Sequence, residues 1–216
     1  MFSFSKSRLE AFSDGVIAII ITIMVLDIPL PSTFGLAEIT GLLRSILIFL
    51  ASFLIVGAQW SNHNMLFQTI DRVSNTFLWR NLLFLFFLSL VPIFTKWIIL
   101  HPDNVAPALG YDIVYLLVNF SLSSMWDSAP KLQTNAATAE RLARIKNVRR
   151  PGWIGGVLLA ISIIAIVIFS YAYPRLSLIF FIILPAAFSL VNLIFERDWH
   201  EPEESTPAVA NEEPTA

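Results

Sequence analysis

The chain has 216 residues, of which 56% are apolar and only 14% are charged. Soluble domains carry about 25% charged residues, and the mean hydropathy here is +0.71, which argues against both a soluble globule and a disordered chain. The net charge of −2 gives no bulk basic signal for nucleic acid. The absence of cysteine removes disulfides, thiolate metal sites and cysteine nucleophiles.

A crossing helix needs about 20 mostly apolar residues, because the hydrocarbon layer is about 30 Å thick and a helix rises about 1.5 Å per residue. Six candidate spans follow in chain order: 9–30, 40–62, 76–98, 106–126, 152–172 and 175–195. The expected fold class is therefore all-α, a polytopic membrane protein with six transmembrane helices. A β-barrel is disfavoured because the apolar runs do not alternate with polar residues. Pro31 closes the first span, Pro102 follows the third, and Pro151 and Gly152 open the fifth. Lys6 and Arg8 precede the first apolar run in the manner of a signal peptide. The run is long, Asp14 interrupts its start and no clean small-x-small cleavage site follows, so it reads as a retained span.

Lys and Arg set the orientation. With a cytoplasmic N-terminus, that side holds eleven of them, from Lys6 and Arg8 through the 141–150 cluster to Arg197. The other side holds Arg44, Lys96 and Arg175. Both termini are expected in the cytoplasm. The connection 128–150 contains a run of good helix formers from Asn135 to Lys146 and reads as a solvated helix, with contact to anionic lipid as the sharper alternative. Residues 1–200 form one six-span domain. Residues 201–216 form an acidic, proline-rich tail that reads as disordered.

Polar groups at membrane depth are costly and therefore informative. Gly15 to Leu26 is only 12 residues, about 18 Å, too short to cross. Ser13 and Asp14 must lie within or at the edge of the hydrocarbon, either capping a helix or joining an interhelical polar cluster. Candidate partners at the same end of the second and third spans are Gln59, Trp60, His63, Asn64, Arg80 and Asn81. His63 has no second ligand at i+3 or i+4, so no metal is expected. Catalytic motifs such as Gly-x-Ser-x-Gly, His-Glu-x-x-His and the Walker loop are absent, and the sequence does not read as an enzyme.

Gly15, Ile19, Thr22 and Leu26 recur at i, i+4, i+7 and i+11, with Ile23 beside them. Such a stripe is ordinarily a packing face. Here it directly follows the most polar element at membrane depth.

The segment Arg8-x-x-x-Phe12-Ser13-Asp14 at the start of the first span resembles the Arg-x-x-x-Phe-Ser-Asp signature of the transmembrane protein 175 family of potassium channels, in its prokaryotic single-repeat branch. Trp60-x-x-His63 and Arg80-Asn81-Leu-Leu are similar to that family's second and third spans. The resemblance implies a homotetramer in the cell membrane with the first spans lining a central pore, permeant K⁺ and no cofactor. It implies a constriction of branched aliphatic side chains at Ile19, with Thr22, Ile23 and Leu26 continuing the pore wall. Arg8, Phe12, Ser13, Asp14, Trp60, His63 and Asn81 would form the structural signature and interhelical network. The family often has a His pair where this chain has His63-Asn64.

A ring of Ile19 side chains would offer no oxygen ligands to replace an ion's hydration shell. A narrow apolar ring blocks ions by dewetting and conducts only when wide enough for a hydrated or partly hydrated ion, so selectivity would be modest. Two other readings stand beside the channel: a small proton- or cation-coupled carrier that titrates Asp14, and a membrane scaffold that docks through 128–150. Paired broken helices at matching positions, the usual mark of a carrier, are not apparent.

Overall fold

The computed structural model describes residues 5–148, together with the single helical position Ile164. Among the described residues every regular element is helical. α1 is Lys6–Leu26, α2 Leu36–Phe67, α3 Asn75–Ser89, α4 Val91–Leu100 and α5 Val105–Trp126. A 3-10 turn, Ala129–Leu132, leads into α6, Ala136–Val148. α3 and α4 form one apolar stretch, so four stretches are long and apolar enough to cross a membrane. The expected spans 152–172 and 175–195 and the tail 201–216 lie outside the described residues, as do Arg149, Arg150, Arg175 and Arg197.

Local chemistry explains where the helices end. α1 stops at Leu26, short of the expected residue 30, because Pro29 disfavours helical backbone at Ile28 and Pro31 follows two residues later. α2 overruns the expected 40–62 at both ends; its 32 residues reach about 48 Å, more than the hydrocarbon alone requires. α3 is capped by Ser74, whose side chain accepts from the Phe77 N–H, and α5 by Asn104, which accepts from the Ala106 N–H. The expected continuous third span is instead broken at Leu90. Pro92 has no N–H to give the Leu88 carbonyl and crowds it, so the helix restarts with Pro92 in its first turn.

The helices alternate in direction. The Lys6 ammonium donates to the Ile70 carbonyl at 2.9 Å, placing the start of α1 beside the α2–α3 loop. At the other end Asp27 meets Lys96 at 2.8 Å, beside the close of α4. α1 packs on α2, α3 and α4, while α5 packs on α3 and α4. The core between them includes Ile17, Ile20 and Met24 of α1, Ile55 of α2, Phe84 and Leu88 of α3 and Val118 of α5. Gly110 lies against the Phe94 ring, where a Cβ would overlap the ring; its lack of a side chain lets α4 and α5 approach closely.

The helix expected over 135–146 is present as α6, and its start is held by one carboxylate. Asp71, in the α2–α3 loop, accepts from the backbone N–H groups of Thr134 (2.6 Å) and Asn135 (3.0 Å) and from the hydroxyls of Thr138 (2.9 Å) and Thr134 (3.2 Å). These donors, the Thr134 N–H first, hold its pKa down to about 2.

A polar anchor and an outward-facing stripe on the first helix

α1 carries two unlike faces. Leu9, Ser13, Ile17, Ile20 and Met24 recur at helical spacing and are buried against the bundle. Gly15, Ile19, Thr22, Ile23 and Leu26 are exposed on the protomer, Ile19 by 57% and Leu26 by 82%. Among the described residues, therefore, the stripe read from the sequence is not a packing face. The Thr22 hydroxyl donates back to the Ile19 carbonyl at 2.9 Å, so its oxygen lone pairs remain available on the exposed side.

Five hydrogen-bonding side chains fix which face of α1 turns inward. The Ser13 hydroxyl is fully buried and donates to the Leu9 carbonyl at 2.8 Å. The Asn81 amide on α3 donates to the Ser13 oxygen at 2.9 Å. Because that uses the Asn81 nitrogen, its oxygen is the acceptor facing His63 Nε2 on α2, 2.7 Å away, and His63 carries its proton on Nε2. The imidazole is stacked on Phe84 at 5.3 Å and tilted against Phe67 at 4.6 Å, which fixes its plane. One residue beyond Ser13, the Trp60 indole donates to the Asp14 carboxylate at 2.9 Å. α1, α2 and α3 are thus tied at one depth by a directed hydrogen-bond chain and a second, more exposed bond.

Ser13 and Asp14 are interior helical positions, six or more residues past the helix start; the capping alternative does not hold. Ser13, Asp14, Trp60, His63 and Asn81 come together. Arg8 and Phe12 lie on the exposed side of α1. Arg80, considered as a partner for Asp14, turns instead to α5 and donates to the Ser124 carbonyl and the Ser128 hydroxyl. Gln59 likewise turns to α5, where its amide donates to Asn119 at 3.4 Å.

Other polar contacts escaped the sequence reading. Ser52 and Thr95 hydroxyls lie 2.9 Å apart, and the Tyr111 hydroxyl donates to Ser52 at 3.2 Å, tying α2, α4 and α5 inside the apolar core. A signal was available for Ser52, a lone hydroxyl in an apolar run; Thr95 beside Lys96 and Tyr111 beside Asp112 stand out less. Asp112 on α5 is 1% exposed and its carboxyl oxygens have no hydrogen-bond partner among the described residues. Among the described residues no group of three acidic or histidine side chains could hold a metal.

Apolar helices long enough to span, joined by a polar knot at membrane depth, define a multi-pass helical membrane protein. The family model described as "Endosomal/lysosomal potassium channel TMEM175" matches residues 8–92, the part that contains the knot and the stripe. A potassium channel of a Chryseobacterium species is 52% identical over 94 residues, 44% of this chain and 49% of that one. A potassium channel of Chamaesiphon minutus is 35% identical over 144 residues, 62% of this chain and 68% of that one. The match thus spans about half the length of the first relative and two thirds of the second. The crystal structure of a lysosomal potassium-selective channel TMEM175 homologue from Chamaesiphon minutus superposes with a TM-score of 0.64 at 27% identity, covering 87% of this chain and 97% of that one. The chain belongs to the transmembrane protein 175 family.

Proposed function

We propose that the chain is a potassium-permeable channel that conducts passively along a central path lined by the α1 helices of several copies, four by analogy with the family. Each subunit crosses the cell membrane six times with both termini in the cytoplasm. The observation that carries this reading is the division of α1: its polar anchor faces the bundle while Ile19, Thr22 and Leu26 face away from it. A stripe of aliphatic side chains beside a hydroxyl is poorly suited to hold an ion and well suited to form a wettable constriction. The relatives named as potassium channels support the choice of ion.

The carrier reading gains nothing from the geometry. Asp14 accepts a hydrogen bond from the Trp60 indole, which holds the carboxylate in one place as a structural acceptor. Ile19→Asn tests the channel reading in liposomes or planar bilayers. A polar ring in place of the aliphatic one raises leak and lowers the K⁺ over Na⁺ discrimination. Unchanged conductance and permeability ratio would show that Ile19 is not the constriction.

A further inference from the structure

The groove beside the exposed stripe has a charged end. It runs between α1 and α4, is lined by Ile19, Ile23, Pro92 and Ile93, and also by Asp27 and Lys96. Asp27 caps the C-terminal end of α1 and accepts from the Lys96 ammonium at 2.8 Å. Neither partner is buried: the side chains are 49% exposed for Lys96 and 27% for Asp27. Asp27 follows Ile23 by four residues, a turn of about 40° and a rise of about 6 Å, so it continues the strip that carries Ile23. Ion pairs this exposed contribute little to stability, and a purely structural role explains the pair poorly. Its position explains it better.

Resting on the reading of the stripe as pore wall, we infer that the Asp27–Lys96 pair controls the charge at one mouth of the pore. Asp27 presents a carboxylate to arriving cations, and repetition around the axis makes a ring of them. Lys96 fixes each carboxylate and offsets its charge, so the mouth is close to neutral. The field at an open mouth is felt by ions in water and is screened by salt; its Debye length is about 30 Å at 0.01 M and about 3 Å at 1 M. The pair therefore sets conductance in dilute salt and is silent in concentrated salt, on one side of the membrane only.

The test is single-channel recording of the full-length protein with dilute or concentrated KCl on the Asp27 side. Lys96→Gln, which uncovers the carboxylates, raises K⁺ conductance from that side at least about twofold at about 0.01 M and not at about 1 M. Asp27→Asn, which leaves the ammonium groups, lowers it under the same dilute condition. The double variant Asp27→Asn/Lys96→Gln returns it towards the native value. Lys96→Met makes the same charge change with the apolar stem kept, and is read in the same way should Lys96→Gln fail to assemble. Single variants that shift conductance in the same direction, or equally at both salt concentrations, would overturn the inference. So would a double variant that does not recover. Ile19→Asn is recorded alongside: an effect there with silent charge variants refutes the mouth alone, whereas no effect there refutes the pore wall itself.

Discussion

The Asn81 amide donates to the Ser13 hydroxyl 2.9 Å away, and that bond sets the rotation of α1 about its own axis. Ile17, four residues on from Ser13, is 2% exposed, while Ile19, about 200° further round, is 57% exposed. A turn of α1 by one residue would bury the exposed stripe and bring the Ser13 hydroxyl out of reach. Helices in lipid gain little from hydrophobic burial against one another, so close packing and interhelical hydrogen bonds set how they meet.

The His63–Asn81–Ser13 chain should behave as one unit. Asn81→Ala leaves the His63 N–H and the Ser13 oxygen without partners and costs about 1–3 kcal/mol. Ser13→Ala costs less: the Asn81 amide loses its acceptor, while the Leu9 carbonyl, which loses the hydroxyl, keeps its place in the α1 backbone ladder. The double variant is expected to be less destabilised than the sum of the two, measured by thermal unfolding in detergent. Additive losses would show that the bonds are energetically separate.

Asp14→Ala removes the acceptor of the Trp60 indole. The expected effect is on assembly: a lower yield of oligomer of about four times the 24.3 kDa chain mass, with the K⁺ over Na⁺ permeability ratio retained in what assembles. A stable oligomer with altered selectivity would move Asp14 from the anchor to the ion path.

Asp71 loosens its hold on the start of α6 in acid. Its pKa is held at about 2, below the ordinary value of 3.8, so its contribution is fully present above about pH 4 and is lost as pH falls through about 2. Hydrogen exchange at Thr134 and Asn135 should be slow at pH 5 to 7. In Asp71→Asn it should be faster at every pH, because the neutral amide accepts these N–H groups more weakly. Slow exchange in the variant would place the hold on α6 elsewhere, for instance in the Gln133 side chain, which donates to the Thr69 and Thr138 carbonyls.

Much of this was legible in the sequence because lipid simplifies the code. A hydrophobic run of span length has few alternatives in hydrocarbon, and the first four spans fall within a few residues of their expected places. The polar anchor was legible for the same reason: Ser13, Asp14, His63 and Asn81 stand out where apolar residues are the rule. What the sequence did not show was pairing. Arg80 and Asn81 are adjacent, yet one turns to α5 and the other to α1. Adjacent helical side chains diverge by about 100°, and which of them meets a neighbour depends on a helix rotation that no local pattern records. The break at Leu90 was missed although Pro92 announces it, because the apolar run passes through the proline without a change in hydropathy. Asp27 and Lys96 are 69 residues apart and meet only through the alternation of helix direction.

As pore wall, α1 is expected to turn Ile19, Thr22 and Leu26 to an aqueous ion path and to keep Ile17, Ile20 and Met24 away from it. The chain contains no cysteine, so single cysteines can be introduced at these positions in the native background. A cationic thiol reagent should react with cysteine at 19, 22 and 26 and block K⁺ flux, and should leave 17, 20 and 24 unmodified with flux intact. Modification and block at 17 or 20, or inert cysteines at 19 and 22 in a conducting protein, would contradict the assignment of α1 as the pore wall.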